Sequence, residues 1–181
     1  GFCSHVREDL QGDIQNIYST AGAFAAVKGD GSAVTWGAPR WGGDCSAVRE
    51  ELQGGIQYIY STPDAFAAVK GDGSVVTWGS RRGGGDCSAV QEELRGNIQK
   101  IYSTGSAFAA VKSDGSVVTW GDQDNGGDCR SVREELRGDI QKISATAIAF
   151  VAVKSDGSVV PWGDPDSGGD SRTGRAARRA R

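Results

Sequence analysis

The segment AFAAVKSDGSVVTWG, residues 107–121, contains the clearest structural signal in the chain. Two apolar segments rich in β-forming residues, AFAAVK and VVTWG, flank the dipeptide Asp114-Gly115. Asp-Gly between two such segments is a strong hairpin signal, because glycine accepts the positive φ that a tight turn requires. The stretch therefore predicts two antiparallel strands joined by a tight turn.

The same pattern occurs four times in the chain, at an unvarying period of 42 residues. A fixed period of this size indicates one copied supersecondary unit, and the copies must stack to bury a shared core. The repeat also argues against an enzyme, because catalysis needs unlike residues that converge on one point. The tryptophans that mark the period are expected in the core; they are Trp36, Trp78, Trp120 and Trp162.

Each unit also contains a helical segment and a further β-rich segment. In the second unit Asp44 and Ser46 are N-cap residue types, and two apolar residues follow four apart on one helical face, so a short helix or a helical turn is predicted over 46–53. The segment IQYIYST (56–62) predicts a strand. The sequence thus predicts a mainly β fold in which short helices alternate with three-stranded meanders, with an open α+β repeat solenoid as the alternative.

The run AFAAVKSDGSVVTWGDQDNGG at 107–127 resembles the repeat of the regulator of chromosome condensation family, and the likeness extends over residues 1–170. The 42-residue unit is shorter than that family's usual repeat and is similar to the compact blades of propeller-type bacterial β-lactamase inhibitor proteins. The resemblance implies the blades of a β-propeller, here an incomplete one. It departs from the family where GGD plus Cys or Ser replaces GQLG, and where SAVREEL replaces the outer-strand region.

The repeats are expected at about 1–42, 43–84, 85–126 and 127–170, followed by a basic tail over 171–181. The tail SRTGRAARRAR carries five arginines and no acid, and it is expected to be disordered. The start GFCSHVRE matches GGDCSAVREE further on, so the chain opens inside a repeat, and it contains no methionine. These features predict a piece of a longer array.

The composition favours short strands over helices, because only 38% of the residues are hydrophobic and 28 are glycine. No run of 18 apolar residues occurs, so no membrane span is predicted. Each repeat has its cysteine at the same place, which keeps the four thiols apart, whereas a disulfide needs Cα atoms within about 7 Å. We therefore expect an intracellular protein, cytoplasmic or nuclear.

Little in the sequence points to catalysis or to a cofactor. His5 is the one histidine, and the strings GxSxG, GxxxxGK[ST] and HExxH do not occur. Asp122, Asp124 and Asp128 resemble the opening of a calcium loop, but Arg133 stands where an EF-hand needs glutamate. The sequence therefore predicts a solvated acidic loop and no catalytic residue, metal or cofactor.

The repeats differ mainly in the connection between their first two strands and in the loop after Trp-Gly. In a meander both segments lie at the end opposite the DGS turns, so they are predicted on one face. Variable loops on a rigid scaffold suggest recognition, and unconstrained drift is the alternative. The candidate partner-binding residues are Arg40, Trp41, Arg81 and Arg82 in the first two repeats and Asp122, Asp124, Asp164 and Asp166 in the last two.

The sequence accordingly predicts a non-enzymatic scaffold for protein partners, in which Trp41 and the three arginines anchor an acidic partner. Self-association through the open end faces of the array is also expected. The alternatives are a nucleic-acid or chromatin protein that uses the arginine tail, and a fragment without independent function. By resemblance alone, larger relatives regulate small GTPases or accompany ubiquitin-ligase domains, but only scaffold positions match here.

Overall fold

A computed structural model describes residues 6–170 as four three-stranded antiparallel sheets, sheets 1 to 4 in chain order. In each sheet the strands follow one another as a meander. The strands are β1 (Ile14–Ser19), β2 (Ala23–Lys28) and β3 (Ala33–Gly37); β4 (Ile56–Ser61), β5 (Ala65–Lys70) and β6 (Val75–Gly79); β7 (Ile98–Ser103), β8 (Ala107–Lys112) and β9 (Val117–Gly121); β10 (Ile140–Ala145), β11 (Ala149–Lys154) and β12 (Val159–Gly163).

The predicted hairpin and the strand that precedes it are confirmed in every sheet. In sheet 2, Lys70 N–H donates to Ser74 O at 2.9 Å, and Gly73 has a φ of 76°. This turn sets Phe66 opposite Trp78, and the two rings stack with their centroids 5.1 Å apart. All four sheets have such a pair, so each sheet carries an aromatic cluster on one face.

The segment between sheets 1 and 2, predicted as a short helix or a helical turn over 46–53, forms a series of tight turns and no regular α-helix. A 3-10 turn covers Ser46–Val48, and Leu52 O then accepts from Ala33 N of the preceding sheet at 2.8 Å. That carbonyl is used between sheets instead of continuing a helix. The helical elements are α1 (Val6–Asp9), the 3-10 turns Ser46–Val48, Ser88–Val90, Arg130–Val132, Pro39–Trp41 and Pro165–Ser167, and the wider turns Arg81–Gly85 and Gln123–Gly127.

The hydrophobic core lies between consecutive sheets and not within any one of them. Between sheets 1 and 2, small residues of β2 such as Ala25 pack against Phe66 and Trp78 of the next sheet. The Trp78 Nε1–H group donates to Gly42 O, in the loop that follows sheet 1, at 3.1 Å. The same arrangement joins sheets 2 and 3 and sheets 3 and 4. The first strands of consecutive sheets are also neighbours, so the sheets converge along that side.

One aromatic pair departs from the predicted burial. Phe24 is 46% exposed and Trp36 is only half-buried, whereas Phe66 is fully buried. Their local sequence is the same, but within residues 6–170 no sheet precedes sheet 1 to cover them. The expectation of a core tryptophan holds for Trp78, Trp120 and Trp162, and it is wrong for Trp36.

Pro161 lies on an edge strand. It belongs to β12, the last strand in the order β10-β11-β12, and it pairs with Val151. The third strand is an edge strand in all four sheets. The proline is therefore tolerated because of its strand, which explains it without reference to its place in the last repeat.

The three cysteines among the described residues, Cys45, Cys87 and Cys129, are free. Burial raises the pKa of the Cys87 thiol, which packs in the core between sheets 2 and 3. Cys3 and the basic tail over 171–181 lie outside the described residues. Over 6–170, no helix combines the length and the apolar character needed to cross a membrane.

Candidate interaction face

The two kinds of variable segment lie together on one face, which we call the loop face. In sheet 2 the loop after Trp-Gly begins at Ser80, whose N–H donates to Asp64 O in the connection between β4 and β5, at 2.9 Å. The same hydrogen bond recurs in the other sheets, as Ala38 N to Gly22 O, Asp122 N to Ser106 O and Asp164 N to Ile148 O. The DGS turns, at the other ends of the second and third strands, lie on the opposite face.

In sheets 1 to 3 a buried or half-buried threonine ties the loop after Trp-Gly to the connection, and sequence reasoning missed it. The Thr62 hydroxyl donates to Gly83 O at 2.9 Å and accepts from Ala65 N at 3.1 Å, so it ties the outer loop to the connection. Thr20 and Thr104 hold Trp41 O and Asn125 O in the same way. The signal in the sequence is a threonine that recurs unchanged just before each variable connection.

Backbone hydrogen bonds also join the connections of neighbouring sheets. Ala21 N donates to Pro63 O at 2.7 Å, and Gly105 N donates to Ala147 O at 2.7 Å. The equivalent bond from residue 63 to residue 105 cannot form, because proline has no N–H. The boundary between sheets 2 and 3 must therefore be closed by other contacts on this face.

An ion pair spans that boundary. Arg82 Nε donates to Asp122 Oδ2 at 2.5 Å, and Asp122 Oδ1 accepts from Asp124 N at 3.1 Å. The Asp122 side chain is only 7% exposed, while that of Arg82 is 82% exposed. The hydrogen bond raises the pKa of the Arg82 guanidinium. The structure thus brings two of the predicted residues together across the two halves of the loop face.

The other predicted basic residues are partly engaged within the chain. Arg81 forms an ion pair with Asp86 at 3.0 Å, in the loop of the same sheet. Arg40 lies 4.6 Å from the centroid of the Trp41 ring, a cation–π distance. The Trp41 ring lies against the backbone of Gly22, where any side chain would overlap it, and it packs on the core between sheets 1 and 2. Trp41 is half-buried, so its ring also serves the fold.

At the boundary between sheets 3 and 4, two carboxylates take the positions that the Arg82–Asp122 ion pair has between sheets 2 and 3. Asp124 and Asp164 occupy the repeat positions of Arg82 and Asp122, so two carboxylates stand where an ion pair closes the previous boundary. Asp124 and Asp166 are exposed, and Asp164 is half-buried. The loop face therefore carries an acidic end at sheets 3 and 4 and a mixed, arginine-rich end at sheets 1 and 2.

The residues that resemble a calcium loop are directed elsewhere. Asp122 binds Arg82, and Asp128 forms an ion pair with Arg130 that lowers the pKa of the Asp128 carboxyl. In the part of the chain that the structure describes, no group of three or more histidine, cysteine or acidic side chains is arranged to hold a metal ion.

Comparison with models of known protein families finds no match, and comparison with curated proteins finds none either. Several solved structures are similar to this chain in fold. Yeast RCC1 (Prp20), in complex with Kap60, has 16% sequence identity and a TM-score of 0.58, over 87% of this chain and 45% of Prp20. A second structure, of Prp20p from Saccharomyces cerevisiae, is described with its binding properties to Gsp1p and histones. It has 16% sequence identity and a TM-score of 0.57, over 88% of this chain and 46% of Prp20p.

Two further structures share the architecture. Human WBSCR16 has 16% identity and a TM-score of 0.52, over 86% of this chain and 48% of that protein. The ectodomain of the receptor kinase CR4 from Physcomitrella patens has 13% identity and a TM-score of 0.52, over 82% of this chain and 40% of the ectodomain. The chain thus spans less than half the length of each. At these identities the likeness shows the fold, in agreement with the sheet layout: the four sheets are β-propeller blades of the RCC1 type.

Proposed function

We propose that this chain is a non-enzymatic interaction module that binds a protein partner through the loop face of its blades. The observation that supports the proposal is the position of the variation. Blades of nearly identical sequence differ in the connection and in the loop after Trp-Gly, and hydrogen bonds such as Ser80 N to Asp64 O hold both segments on one face. Loops positioned by a rigid scaffold are the usual carriers of recognition.

The charges of the loop face indicate which charges the partner's binding surface should carry. Arg40 and Arg81 lie at one end of the loop face, and Asp124 and Asp166 lie at the other, with the Arg82–Asp122 pair between them. A partner that places acidic groups over blades 1 and 2 and basic groups over blades 3 and 4 would be steered into one orientation. Trp41, with its half-exposed ring beside Arg40, is the proposed anchor for the acidic part.

The similar structures support a protein as the partner class, since Prp20p is described with Gsp1p and histones. The fold does not select the compartment, because CR4 shares it in an ectodomain. We propose an intracellular site of action on the free thiols of Cys45, Cys87 and Cys129. Binding of nucleic acid through residues 171–181 stays a separate prediction from sequence.

The test compares affinity capture by the full chain with capture by two loop-face variants. One variant carries Arg40→Ser and Arg81→Ser, and the other carries Asp124→Ser and Asp166→Ser. All four side chains are exposed, and Trp41 and the Arg82–Asp122 pair are left in place because they also serve the fold. We expect each variant to lose at least one captured protein by about tenfold or more, an effect of about 1.4 kcal/mol.

The matched control removes two exposed arginines from the opposite side. Arg95 and Arg137 precede the first strands of blades 3 and 4, at the ends away from the loop face, and their side chains are 67% and 66% exposed. The variant Arg95→Ser with Arg137→Ser should capture the same proteins as the unmodified chain. If both loop-face variants also captured them in unchanged amounts, the proposed function would be wrong.

A further inference from the structure

The two ends of the array present the two separated halves of one interface. At each internal boundary, one blade offers a surface of small residues and a glycine loop, and the next offers an aromatic surface that packs against it. Blade 1 presents such an aromatic surface outward, through Ile17, Phe24 and Trp36; we call it the leading face. Blade 4 presents the other kind outward, through Val151, Val153 and Val159; we call it the trailing face.

Among residues 6–170, side chains of both faces are more exposed than their equivalents at the internal boundaries. On the leading face Ile17 is 60% exposed and Phe24 is 46% exposed, whereas the equivalent side chains in blades 2 to 4 are at most 3% exposed. On the trailing face Val159 is 55% exposed, whereas Val75 and Val117 are both 8% exposed. Large apolar patches of this kind on a folded protein indicate an interaction surface.

The glycine loop supplies the polar half of the match. Gly42, Gly84 and Gly126 each adopt a left-handed φ near 95°. Because glycine has no side chain, the aromatic pair of the next blade can pack directly against the backbone at these positions. Their carbonyls accept the Nε1–H groups of the next tryptophan at 3.0 to 3.1 Å. Gly168 has the same conformation, with a φ of 97°, but none of the described residues beyond its chain neighbours comes within 4 Å of the position where a Cβ would stand.

We propose that the trailing face of one copy of this chain docks on the leading face of a second copy, in the geometry of the internal boundaries. Gly168 O would then accept the Nε1–H group of Trp36 of the other copy, and Phe24 would close on the Gly168 loop. The argument is continuity, because the same residue types meet in this way at three boundaries within one chain. Docking of both pairs of faces closes a ring of two copies.

The trailing face differs from the internal ones at three positions. Ser144 replaces the tyrosine that packs against each internal core cluster, as Tyr102 does between sheets 3 and 4. Val151 replaces the alanine of the other blades, and Pro161 replaces a threonine whose hydroxyl elsewhere donates to a loop carbonyl, as Thr119 does to Gly127 O at 3.1 Å. Val151 and Pro161 enlarge the apolar part of the face, and Pro161 also removes a hydroxyl, whereas Ser144 removes an aromatic ring. The contact between copies would therefore resemble the internal boundaries without being identical to them, and it would leave the loop face free for a partner.

The mass of the full chain in solution tests the proposal. Light scattering after size exclusion should give twice the 18.9 kDa of one chain. Phe24→Asp, on the leading face, and Val159→Asp, on the trailing face, should each halve that mass. Because both side chains are exposed in the single chain, circular dichroism should show unchanged folding; Ile17→Asp provides a second leading-face variant.

Mixing the two variants distinguishes this contact from any other kind of association. A Phe24→Asp chain keeps its trailing face and a Val159→Asp chain keeps its leading face, so a mixture should recover association through one intact contact. A symmetric contact between two leading faces would be insensitive to Val159→Asp. The control is Tyr58→Lys, at a 57% exposed side chain whose equivalents are Lys100 and Lys142; it should leave the dimer intact.

A monomeric unmodified chain, or a mixture that stays monomeric, would overturn the proposal. These outcomes say nothing against the proposed function, because the substitutions lie on the blade faces and not on the loop face. Conversely, loss of capture by the loop-face variants with an unchanged mass would leave the contact between copies in place.

Discussion

At the scale of single residues, the glycines of the loops after Trp-Gly determine whether blades can stack. Gly84 has a φ of 95°, and a Cβ placed on it would lie 2.6 Å from the Phe108 ring. Its carbonyl accepts the Trp120 Nε1–H group at 3.0 Å. A side chain here would be strained by the left-handed backbone and would also separate blade 3 from blade 2.

Gly84→Ala should therefore destabilise the protein more than the backbone penalty alone. The left-handed conformation costs alanine about 1 to 2 kcal/mol, and overlap with a packed ring adds about 1 to 3 kcal/mol. We expect urea unfolding to show a loss of about 2 to 5 kcal/mol in the free energy of unfolding.

Gly157→Ala isolates the backbone part of that loss. Gly157 has a φ of 80°, and no atom of residues 6–170 beyond its chain neighbours lies within 4 Å of its Cβ position, so only the penalty of about 1 to 2 kcal/mol should appear. Equal losses for the two substitutions would mean that the Phe108 ring yields without cost, and the packing argument for the glycine loop would be wrong.

Burial at this scale could be predicted only in part from sequence. Phe24 and Phe66 stand in identical AFAAVK segments, yet one is 46% exposed and the other is fully buried. The pattern gives the face on which a side chain lies, but its neighbour belongs to another blade. The Arg82–Asp122 ion pair could not be predicted from the sequence for the same reason. Its two residues are 40 positions apart, belong to different blades and do not occupy equivalent repeat positions.

At the scale of elements, the DGS turns are stabilised by the charge of their aspartates. Asp72 Oδ1 accepts from Ser74 N at 2.9 Å and from Ser74 Oγ at 2.6 Å. The same two bonds occur in the other three turns. They lower the pKa of all four carboxyls, of Asp30, Asp72, Asp114 and Asp156, with the serine hydroxyl as the largest cause.

This lowering of the pKa makes the protein sensitive to acid. A carboxyl whose pKa is lower in the folded state contributes stability that is fully present above its unfolded value, close to 3.8, and is lost as the pH falls through the folded value. We expect the melting temperature to be steady from pH 7 to about pH 5 and to fall below about pH 4. Thermal unfolding by circular dichroism measures it.

Replacing the four turn serines by alanine tests the cause. The substitutions Ser32→Ala, Ser74→Ala, Ser116→Ala and Ser158→Ala remove the hydroxyl bonds and keep the backbone ones. The variant should be less stable near pH 7 and should lose less between pH 5 and pH 3. An unchanged acid profile would assign the acid sensitivity to other carboxyls.

Elements whose hydrogen bonds are local could be predicted from the sequence, and the contacts that these elements make with a neighbouring blade could not. The strands and turns follow from AFAAVK, DGS and VVTWG, because their partners lie a few residues away. The helical segment over 46–53 has a helical pattern, but Leu52 O and Leu94 O accept from strands of the preceding blade, at 2.8 and 3.2 Å. Local turns continue to Gln53, whose N–H donates to Glu50 O at 3.3 Å, but the bond from Leu52 O to the neighbouring blade has no signal in the local sequence.

At the scale of the whole molecule, stability should be distributed by the number of neighbours that each blade has. Every core cluster is shared by two consecutive blades, so blades 2 and 3 take part in two clusters, and blades 1 and 4 take part in one. In such an array, stability is the sum of the intrinsic terms of each repeat and of the contacts between neighbours. The blades at the ends are therefore expected to open first.

Hydrogen exchange measured by mass spectrometry can read this difference along the chain. In the Val159→Asp variant, which prevents the proposed contact between copies, amides of β5 and β8 should exchange most slowly, because blades cover them on both sides. Amides of β2 and β11 should exchange faster by about tenfold or more, the equivalent of about 1.4 kcal/mol in opening free energy.

The unmodified chain adds the decisive comparison. If copies dock as proposed, the leading and trailing faces are covered, and β2 and β11 should slow toward the rates of β5 and β8 at concentrations where the dimer forms. Uniform exchange in the Val159→Asp variant would instead mean that the four blades unfold as one cooperative unit. In that case the blades support one another through more than the cores at their boundaries, and the hydrogen bonds of the loop face, such as Ala21 N to Pro63 O, become the next contacts to break.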